Sequence, residues 1–312
     1  MVKTALLFAG QGAQAVGMGR DLAERFEPCR ALFARGNEIL GYDLTKICFE
    51  GPEPELTKTE HAQPGIYLVS FACLAALESQ ISNFKSQIVA AAAGLSLGEF
   101  TALAASDALR FEDGLKLVRR RGQFMQEACD ATSGAMAAMI GAEETQVREV
   151  CREADVDLAN LNAPGQIIVS GEKGKIARAI ELAKAKGIKK AVALNVAGAY
   201  HSRLMASAQP KLAKELGDIA IRPPRLPVVS NVIARPIQAP DEIRRGLIQQ
   251  ITGSVRWEES MRWLISQGFT RFIELGPGKV LSGLMKRIDG NAQMLNVADA
   301  PSLEATVKAL QA

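Results

Sequence analysis

Histidine is scarce in this chain. Among its 312 residues there are two, His61 and His201, so chemistry that needs an imidazole base has two candidates. Cysteine is also sparse: Cys29, Cys48, Cys73, Cys129 and Cys151 are odd in number, widely spaced and without a CxxC pair. That argues against a disulfide framework or a zinc site and suits a reducing compartment, with the thiols expected as small core residues. A strong charge of one sign is missing too. The formal charge is +3 and no like-charge run exceeds Arg119-Arg120-Arg121, which gives no reason to expect a nucleic-acid partner. Long apolar runs are absent at the N-terminus, where residues 1–10 carry one basic residue and a stretch too short for a signal peptide or a membrane span. They predict a buried first strand, and a cytoplasmic location away from membranes is the expectation. Internal repeats, low-complexity segments and long linkers are not found.

What is present is ordinary globular composition, 48% hydrophobic and 23% charged, enough for one large domain plus a smaller one. Strand-like segments at 4–8 and 87–93 are each followed by a Gly-bearing turn, and helical patterning recurs at 21–39, 65–80 and 100–108. Such alternation predicts a parallel α/β sheet. From Gly134 the texture changes to strand 135–140, helix 143–154, strands 156–161 and 166–170, helix 173–186 and strand 189–196. The order βαββαβ is that of a ferredoxin-like unit. After it come a helix, a strand at 226–232, a helix at 241–251 and a strand-turn-helix at 272–281. The expected organisation is a large domain at 1–127 and 198–312 with a small domain inserted at 128–197.

The segment 89–100 runs small apolar residues into Gly94-Leu95-Ser96-Leu97-Gly98 and then into a helix-patterned stretch. This predicts a nucleophile elbow: glycines let neighbouring backbone approach, and the Ser96 hydroxyl is left exposed at a helix N-terminus. Its bland alternative is a Gly-rich turn. A serine hydroxyl needs a neighbouring base at neutral pH. His61 precedes a helix and suggests a surface or capping role, whereas His201, at the exit from the inserted unit, lies where an interdomain cleft is expected. For His201 a hydrogen-bonded structural role stays open. A second turn, Gly10-Gln11-Gly12, follows the first strand and can offer backbone N–H groups to an oxyanion alongside that of Leu97. Neither the full dinucleotide pattern nor a Gly-Lys-Ser/Thr ending is present, so a phosphate loop is weakly indicated.

In 115–125, helical spacing puts Leu117, Val118, Arg121, Phe124 and Met125 on one face. Arg119 and Arg120 read as solvated, but Arg121 among apolar neighbours needs a partner. That partner is either a structural Asp or Glu or a substrate carboxylate.

Together, Phe8-Ala9-Gly10-Gln11-Gly12-Ala13-Gln14, Gly94-Leu95-Ser96-Leu97-Gly98-Glu99, Arg121-Gly122-Gln123-Phe124-Met125-Gln126, residues 160–166, His201 and Glu274-Leu275-Gly276-Pro277-Gly278 resemble the malonyl-CoA:acyl carrier protein transacylases. The resemblance spans nearly the whole chain, in order, and extends in part to acyltransferase domains of polyketide synthases. It implies an α/β-hydrolase-like large domain with a parallel central sheet, an inserted ferredoxin-like domain, and an active site between them. It also implies Ser96 as nucleophile and His201 as base, with the backbone carbonyl of Gln250 orienting the histidine, so that no acidic third member is expected. Gln11 and Leu97 would form the oxyanion hole; Arg121, Asn160, Asn162 and Tyr200 would bind substrate. No bound cofactor or metal is implied. Malonyl-CoA is the donor, and the acceptor phosphopantetheine is carried by a partner, acyl carrier protein, with a monomeric enzyme expected.

The sequence departs from the family where Ala9 replaces the usual Pro and Leu95 the usual His; activity is expected to survive. Leu97 and Tyr200 resemble the bulky residues that favour malonyl over methylmalonyl groups. The carrier is typically acidic, which makes Lys184, Lys186, Lys189 and Lys190, or Lys286 and Arg287, candidates for docking. Two rival readings are a serine esterase or thioesterase on the same elbow, and a non-catalytic carrier-binding subunit.

Overall fold

A computed structural model describes residues 2–84 and 88–311. Gln87, at the start of the predicted second strand, and Met1 lie outside these. The described residues form two sheets. The larger has six strands in the order β10-β9-β1-β2-β7-β8, built from β1 (Lys3–Phe8), β2 (Val89–Gly94), β7 (Val228–Val229), β8 (Pro236–Ile237), β9 (Phe269–Leu275) and β10 (Gln293–Val297). All its pairings are parallel except β7 with β8. Both faces of this sheet are covered, which explains why β1 and β2 read as continuous apolar runs. Leu6, Phe8 and Ala92 point into a core shared with α5 (Thr59–Gln80), α6 (Leu97–Ala105) and α7 (Phe111–Asp130). Their neighbours Ala5, Leu7, Ala91 and Ala93 point the other way, onto α12 (Trp257–Ser266) and α13 (Val280–Ile288). The period of two assigns one stripe to each face.

The second sheet has the order β4-β5-β3-β6 and is antiparallel throughout. Its strands are β3 (Gly134–Ile140), β4 (Asp157–Ala163), β5 (Gln166–Glu172) and β6 (Lys190–Ala193). With α8 (Glu144–Ala154) and α9 (Lys173–Ala185) this is the split βαβ arrangement expected of a ferredoxin-like unit. Ala137, Met139 and Val169 face the two helices, while Met136, Ala138 and Ile168 form the opposite face, against Tyr200. Parallel backbone contact ties the two sheets' surroundings together: Leu161 N–H donates to Val255 O (2.9 Å) and Val255 N–H to Ala159 O (2.8 Å).

Several elements differ from the sequence expectation. The helix predicted at 21–39 is two, α1 (Arg20–Arg25) and α2 (Glu27–Leu40), broken at Phe26 in extended conformation just before Pro28; proline fits a first turn but not a helix interior. α5 starts at Thr59, six residues earlier than predicted, and carries Pro64 inside it. His61 is therefore in the first turn of α5 rather than before a helix. The strand predicted at 226–232 pairs over only Val228–Val229, and that at 189–196 over Lys190–Ala193. α7 runs through the predicted boundary at 127/128.

Candidate active site

Backbone crowding shapes the turn between β2 and α6. A Cβ on Gly94 would fall 2.0 Å from the Gly98 carbonyl carbon, and one on Gly98 would fall 2.1 Å from Phe8 O, so both positions exclude any side chain. Between them Ser96 adopts φ 53°, ψ −103°, a costly conformation for a residue with a Cβ. Asn231, fully buried, fastens both ends of the turn: its Oδ1 accepts Ser96 N–H (2.6 Å) and its Nδ2 donates to Gly94 O (2.8 Å). The first N–H groups of a helix lack intrahelical acceptors, and Leu97 is the first residue of α6.

His201 also has left-handed backbone, φ 56°, in a turn that enters the short 3-10 segment Arg203–Met205. Its Nε2 lies 2.8 Å from Ser96 Oγ, and its Nδ1 lies 2.8 Å from Gln250 O, at the end of α11 (Pro240–Gln250). A carbonyl only accepts, so Nδ1 carries the proton and Nε2 is left to accept from the serine hydroxyl. Burial, reinforced by the nearby Arg121 charge, pulls the imidazole down to about 4. It is thus neutral and available as a base at physiological pH. His61 is elsewhere, held by the Glu55 carbonyl (3.1 Å) and carboxylate (3.2 Å).

Arg121 sits on the apolar face of α7, as its spacing predicts, and is 1% exposed. Nη1 donates to Gln63 Oε1 (2.8 Å), and Nη2 to Gln250 Oε1 (2.9 Å) and Ser96 Oγ (3.1 Å), with the guanidinium 5.2 Å from the Phe100 ring centroid. Among the described residues no carboxylate hydrogen-bonds it, so the structural Asp or Glu partner considered from sequence is not in place. Burial pulls the group down to about 10 while the Glu99 charge opposes that shift, and it stays a cation. Arg119 and Arg120 instead reach Leu40 O (3.2 Å) and Glu215 (3.1 Å) at the surface.

These groups open onto a cavity of about 720 Å³ at the carboxyl ends of β1 and β2, where ligands of parallel sheets are expected. Gln11, Ser96, Arg121, Asn160, Tyr200 and His201 are in its wall. Asn162 is there as well, and its buried Oδ1 has no hydrogen-bond partner among the described residues. The face of the small sheet that bears Met136, Ala138 and Ile168 covers the cavity, and Val280, Leu281 and Leu284 of α13 close another side. Glu274 fixes α13 by accepting Leu281 N–H (2.9 Å) and Ser282 N–H (2.8 Å) at its start. The Gln11 side chain is tethered rather than free: Nε2 reaches Thr59 Oγ1 (3.3 Å) and Tyr200 Oη (3.5 Å), and Oε1 accepts Gln63 Nε2 (3.2 Å).

One expectation is corrected. The Leu97 side chain is fully buried in the core of the large sheet and forms no part of the cavity wall, so it cannot gauge substrate bulk by contact; only its backbone N–H faces the elbow. Tyr200 does line the cavity, and its hydroxyl, 2.8 Å from Thr59 Oγ1, is pushed by burial up to about 12. Leu95 lines the cavity beside Ser96, and a Cβ on Gly10 would lie 2.5 Å from its carbonyl oxygen.

Four participants escape sequence reasoning: Gln63, Asn231, Glu99 and the side chain of Gln250. Gln250 Nε2 donates to Glu99 Oε2 (2.6 Å) and Ser96 O (3.0 Å). Burial pushes the Glu99 carboxyl up to about 7, against the bonds from Asn231 and Gln250. Glu99 stands in the elbow motif, the one local signal available; the others have none. Among the described residues no group of three or more His, Cys, Asp or Glu could hold a metal ion, and no helix is long and apolar enough to cross a membrane.

Comparison with known proteins gives this geometry its context. The family model for the acyl transferase domain matches residues 5–305. The malonyl CoA-acyl carrier protein transacylase of Bacillus subtilis is 41% identical over 100% of this chain and 98% of its own length. An acyl-carrier-protein S-malonyltransferase from Bartonella henselae superposes with a TM-score of 0.95 at 38% identity, over 99% of this chain and 100% of that one. A malonyl-transacylase solved in complex with its type II PKS acyl-carrier protein gives 0.94 at 36% identity, over 98% of this chain and 99% of that one. A buried Ser–His pair in a shared fold, matched along its whole length, places the chain in the acyl transferase family, and the protein is an acyltransferase.

Proposed function

We propose that the protein moves the malonyl group from malonyl-CoA to the phosphopantetheine thiol of an acyl carrier protein, through a malonyl ester on Ser96. The observation that carries this reading is Arg121: a buried guanidinium 3.1 Å from the Ser96 hydroxyl, hydrogen-bonded by no carboxylate among the described residues. An acyl group that ends in a carboxylate supplies the missing anion, and a bidentate pair orients it.

In the first half-reaction Ser96 Oγ attacks the thioester carbonyl while its proton passes to His201 Nε2. The backbone N–H groups of Leu97 and Gln11 stabilise the oxyanion. Collapse breaks the C–S bond, and His201 returns the proton to the departing CoA thiolate. The pantetheine thiol then gives its proton to His201, attacks the ester carbonyl, and releases the serine, which recovers the proton. Gln250 O holds the imidazole in the required tautomer through Nδ1. Asn160, Asn162 and Tyr200 contact the acyl-pantetheine chain. CoA and phosphopantetheine are substrates that come and go, and the chemistry calls on no resident cofactor.

For organisation we propose a large unit at 1–127 and 198–312 and a small one at 128–197. All six strands of the parallel-rich sheet come from the first and all four of the antiparallel sheet from the second. We further take the enzyme to act as a soluble monomer in the cytoplasm, with an acidic carrier as its protein partner.

Intact-mass analysis after incubation with malonyl-CoA tests the reading. The wild-type chain gains one malonyl group, Ser96→Ala gains none, and added carrier protein removes the label into malonyl-carrier. Release of free malonate without loading of the carrier would instead make the protein a hydrolase.

A further inference from the structure

Glu99 has no part in the steps above, yet it is a fully buried carboxylate three residues from the serine. Its Oε2 accepts Gln250 Nε2 (2.6 Å) and Asn231 N–H (3.1 Å), and the Ser230 side chain also bonds the carboxyl. It does not line the cavity. Gln250 is the residue through which it reaches the site, because that one residue touches His201, the Ser96 backbone and Arg121. The backbone carbonyl of Gln250 accepts from His201 Nδ1, its Nε2 donates to Ser96 O, and its Oε1 accepts from Arg121 Nη2.

The orientation of the Gln250 amide decides whether this works. With Nε2 toward Glu99 and Ser96 O, the amide oxygen faces the guanidinium, donor against acceptor on both sides. In the inverted amide, NH₂ would oppose an N–H donor, and the oxygen would oppose two acceptors. The carboxyl of Glu99 enforces the first arrangement. Its Oε2 remains an acceptor whether the group is ionised or carries a proton on Oε1. We propose that Glu99 is a positioning residue that orders the Gln250 amide, holds Arg121 Nη2 beside Ser96 Oγ, and so sets selectivity for acyl groups that end in a carboxylate. This rests on the malonyl-transfer reading, since it needs Arg121 to meet the substrate carboxylate.

The experiment compares malonyl-CoA with acetyl-CoA, which lacks the carboxylate, as donors to carrier protein for the full chain and for Glu99→Ala, Glu99→Asp and Glu99→Gln. Losing the one buried acceptor that orients the Gln250 amide is expected to raise the KM for malonyl-CoA about tenfold in the Ala and Asp variants. Their acetyl-CoA kinetics should change far less than their malonyl-CoA kinetics. Glu99→Asp keeps the charge but withdraws the oxygen, and it carries the test if Glu99→Ala does not fold. Glu99→Gln presents an amide oxygen to Gln250 and should restore malonyl KM. A folded Glu99→Asp with wild-type malonyl KM, equal losses for both donors, or a Gln variant as impaired as Ala would each overturn the assignment. A wild-type enzyme without preference for malonyl overturns both this inference and the function it rests on, whereas a preference that survives in Glu99→Asp overturns this inference alone.

Discussion

The hydroxyl oxygen of Ser96 is shared by two groups of opposite chemistry: it lies 2.8 Å from the neutral Nε2 of His201 and 3.1 Å from the cationic Nη2 of Arg121. In the proposed reaction the imidazole takes the proton, and the guanidinium favours the negative charge that develops on the oxygen. Before substrate arrives, Arg121 thus occupies itself with the nucleophile and two amides. A substrate carboxylate exchanges one of these neutral partners for an ionic one.

Removing the guanidinium leaves that carboxylate buried and unpaired, which costs roughly 3–5 kcal/mol. Arg121→Ala is accordingly expected to lose roughly 10²–10⁴-fold in malonyl transfer while acetyl transfer suffers much less. Initial rates with the two CoA esters measure this, and an equal loss for both would remove Arg121 from substrate recognition.

The pH dependence follows from His201. Its folded value lies near 4, below the ordinary 6.5, chiefly because burial disfavours the imidazolium and secondly because Arg121 repels it. Protonation destroys the base, so the rate of Ser96 acylation falls as pH drops, and the depressed value moves that fall to the acid side of the usual histidine range. Rapid-quench acylation rates from pH 8 downward should show a plateau that persists through about 6. In Arg121→Ala one of the two causes is gone, and the falling limb should shift back toward neutrality. A wild-type limb centred at or above the ordinary histidine value would contradict the burial argument.

The elbow tolerates no Cβ at Gly94, where it would sit 2.0 Å from the next glycine's carbonyl carbon. Since only backbone stands in the way, relief requires moving β2 against α6. Gly94→Ala should lose more than about 4 kcal/mol, in the range where a domain of ordinary stability ceases to fold reliably. Urea unfolding or, failing that, the soluble yield reads the effect, and a midpoint like wild type would show that the turn can relax.

Docking of an acidic carrier can be divided between the two basic clusters. Lys184 and Lys186 are engaged by Glu181 (3.0 Å) and by Glu149 and Glu153 (3.3 and 2.9 Å). Lys286 and Arg287 lie exposed on the last turn of α13, whose first residues line the cavity, and Arg287 donates to Pro164 O (3.2 Å) beside the small sheet. Lys286→Glu should therefore raise the KM for carrier protein, by about threefold to tenfold at low salt, and more than it raises that for malonyl-CoA. The same reversal at Lys184 should have little effect; the opposite ranking would move the docking face to α9.

Local sequence rules carried the elbow, the helix that bears Arg121 and the βαββαβ unit, because each depends on spacing within a dozen or so residues. Gly94 and Gly98 flank the serine for a steric reason that any chain would obey, and Arg121 falls on an apolar face by helical period alone. The contacts that complete the site obey no such period. Gln63 and Gln250 reach Arg121 across 58 and 129 residues, and Glu99 reaches Gln250 across 151. Nothing near any of these residues in the chain marks it as a partner. The short extents of β6 and β7 escape sequence patterning for a related reason, since the two-residue pairing of β7 is set by where its neighbours end.

By itself, then, the sequence determined which residues could react: one serine in a strained turn, one histidine suited to act as its base, and one arginine on a face where a bare charge cannot remain. Only the tertiary structure decided that they meet within hydrogen-bonding distance, that among the described residues no carboxylate hydrogen-bonds Arg121, and that Leu97 turns its side chain into the core instead of the cavity. The physical reason is that a turn or a helical face is fixed by the chemistry of adjacent residues, whereas the pairing of a buried charge is fixed by packing among segments the chain brings together from more than a hundred residues apart.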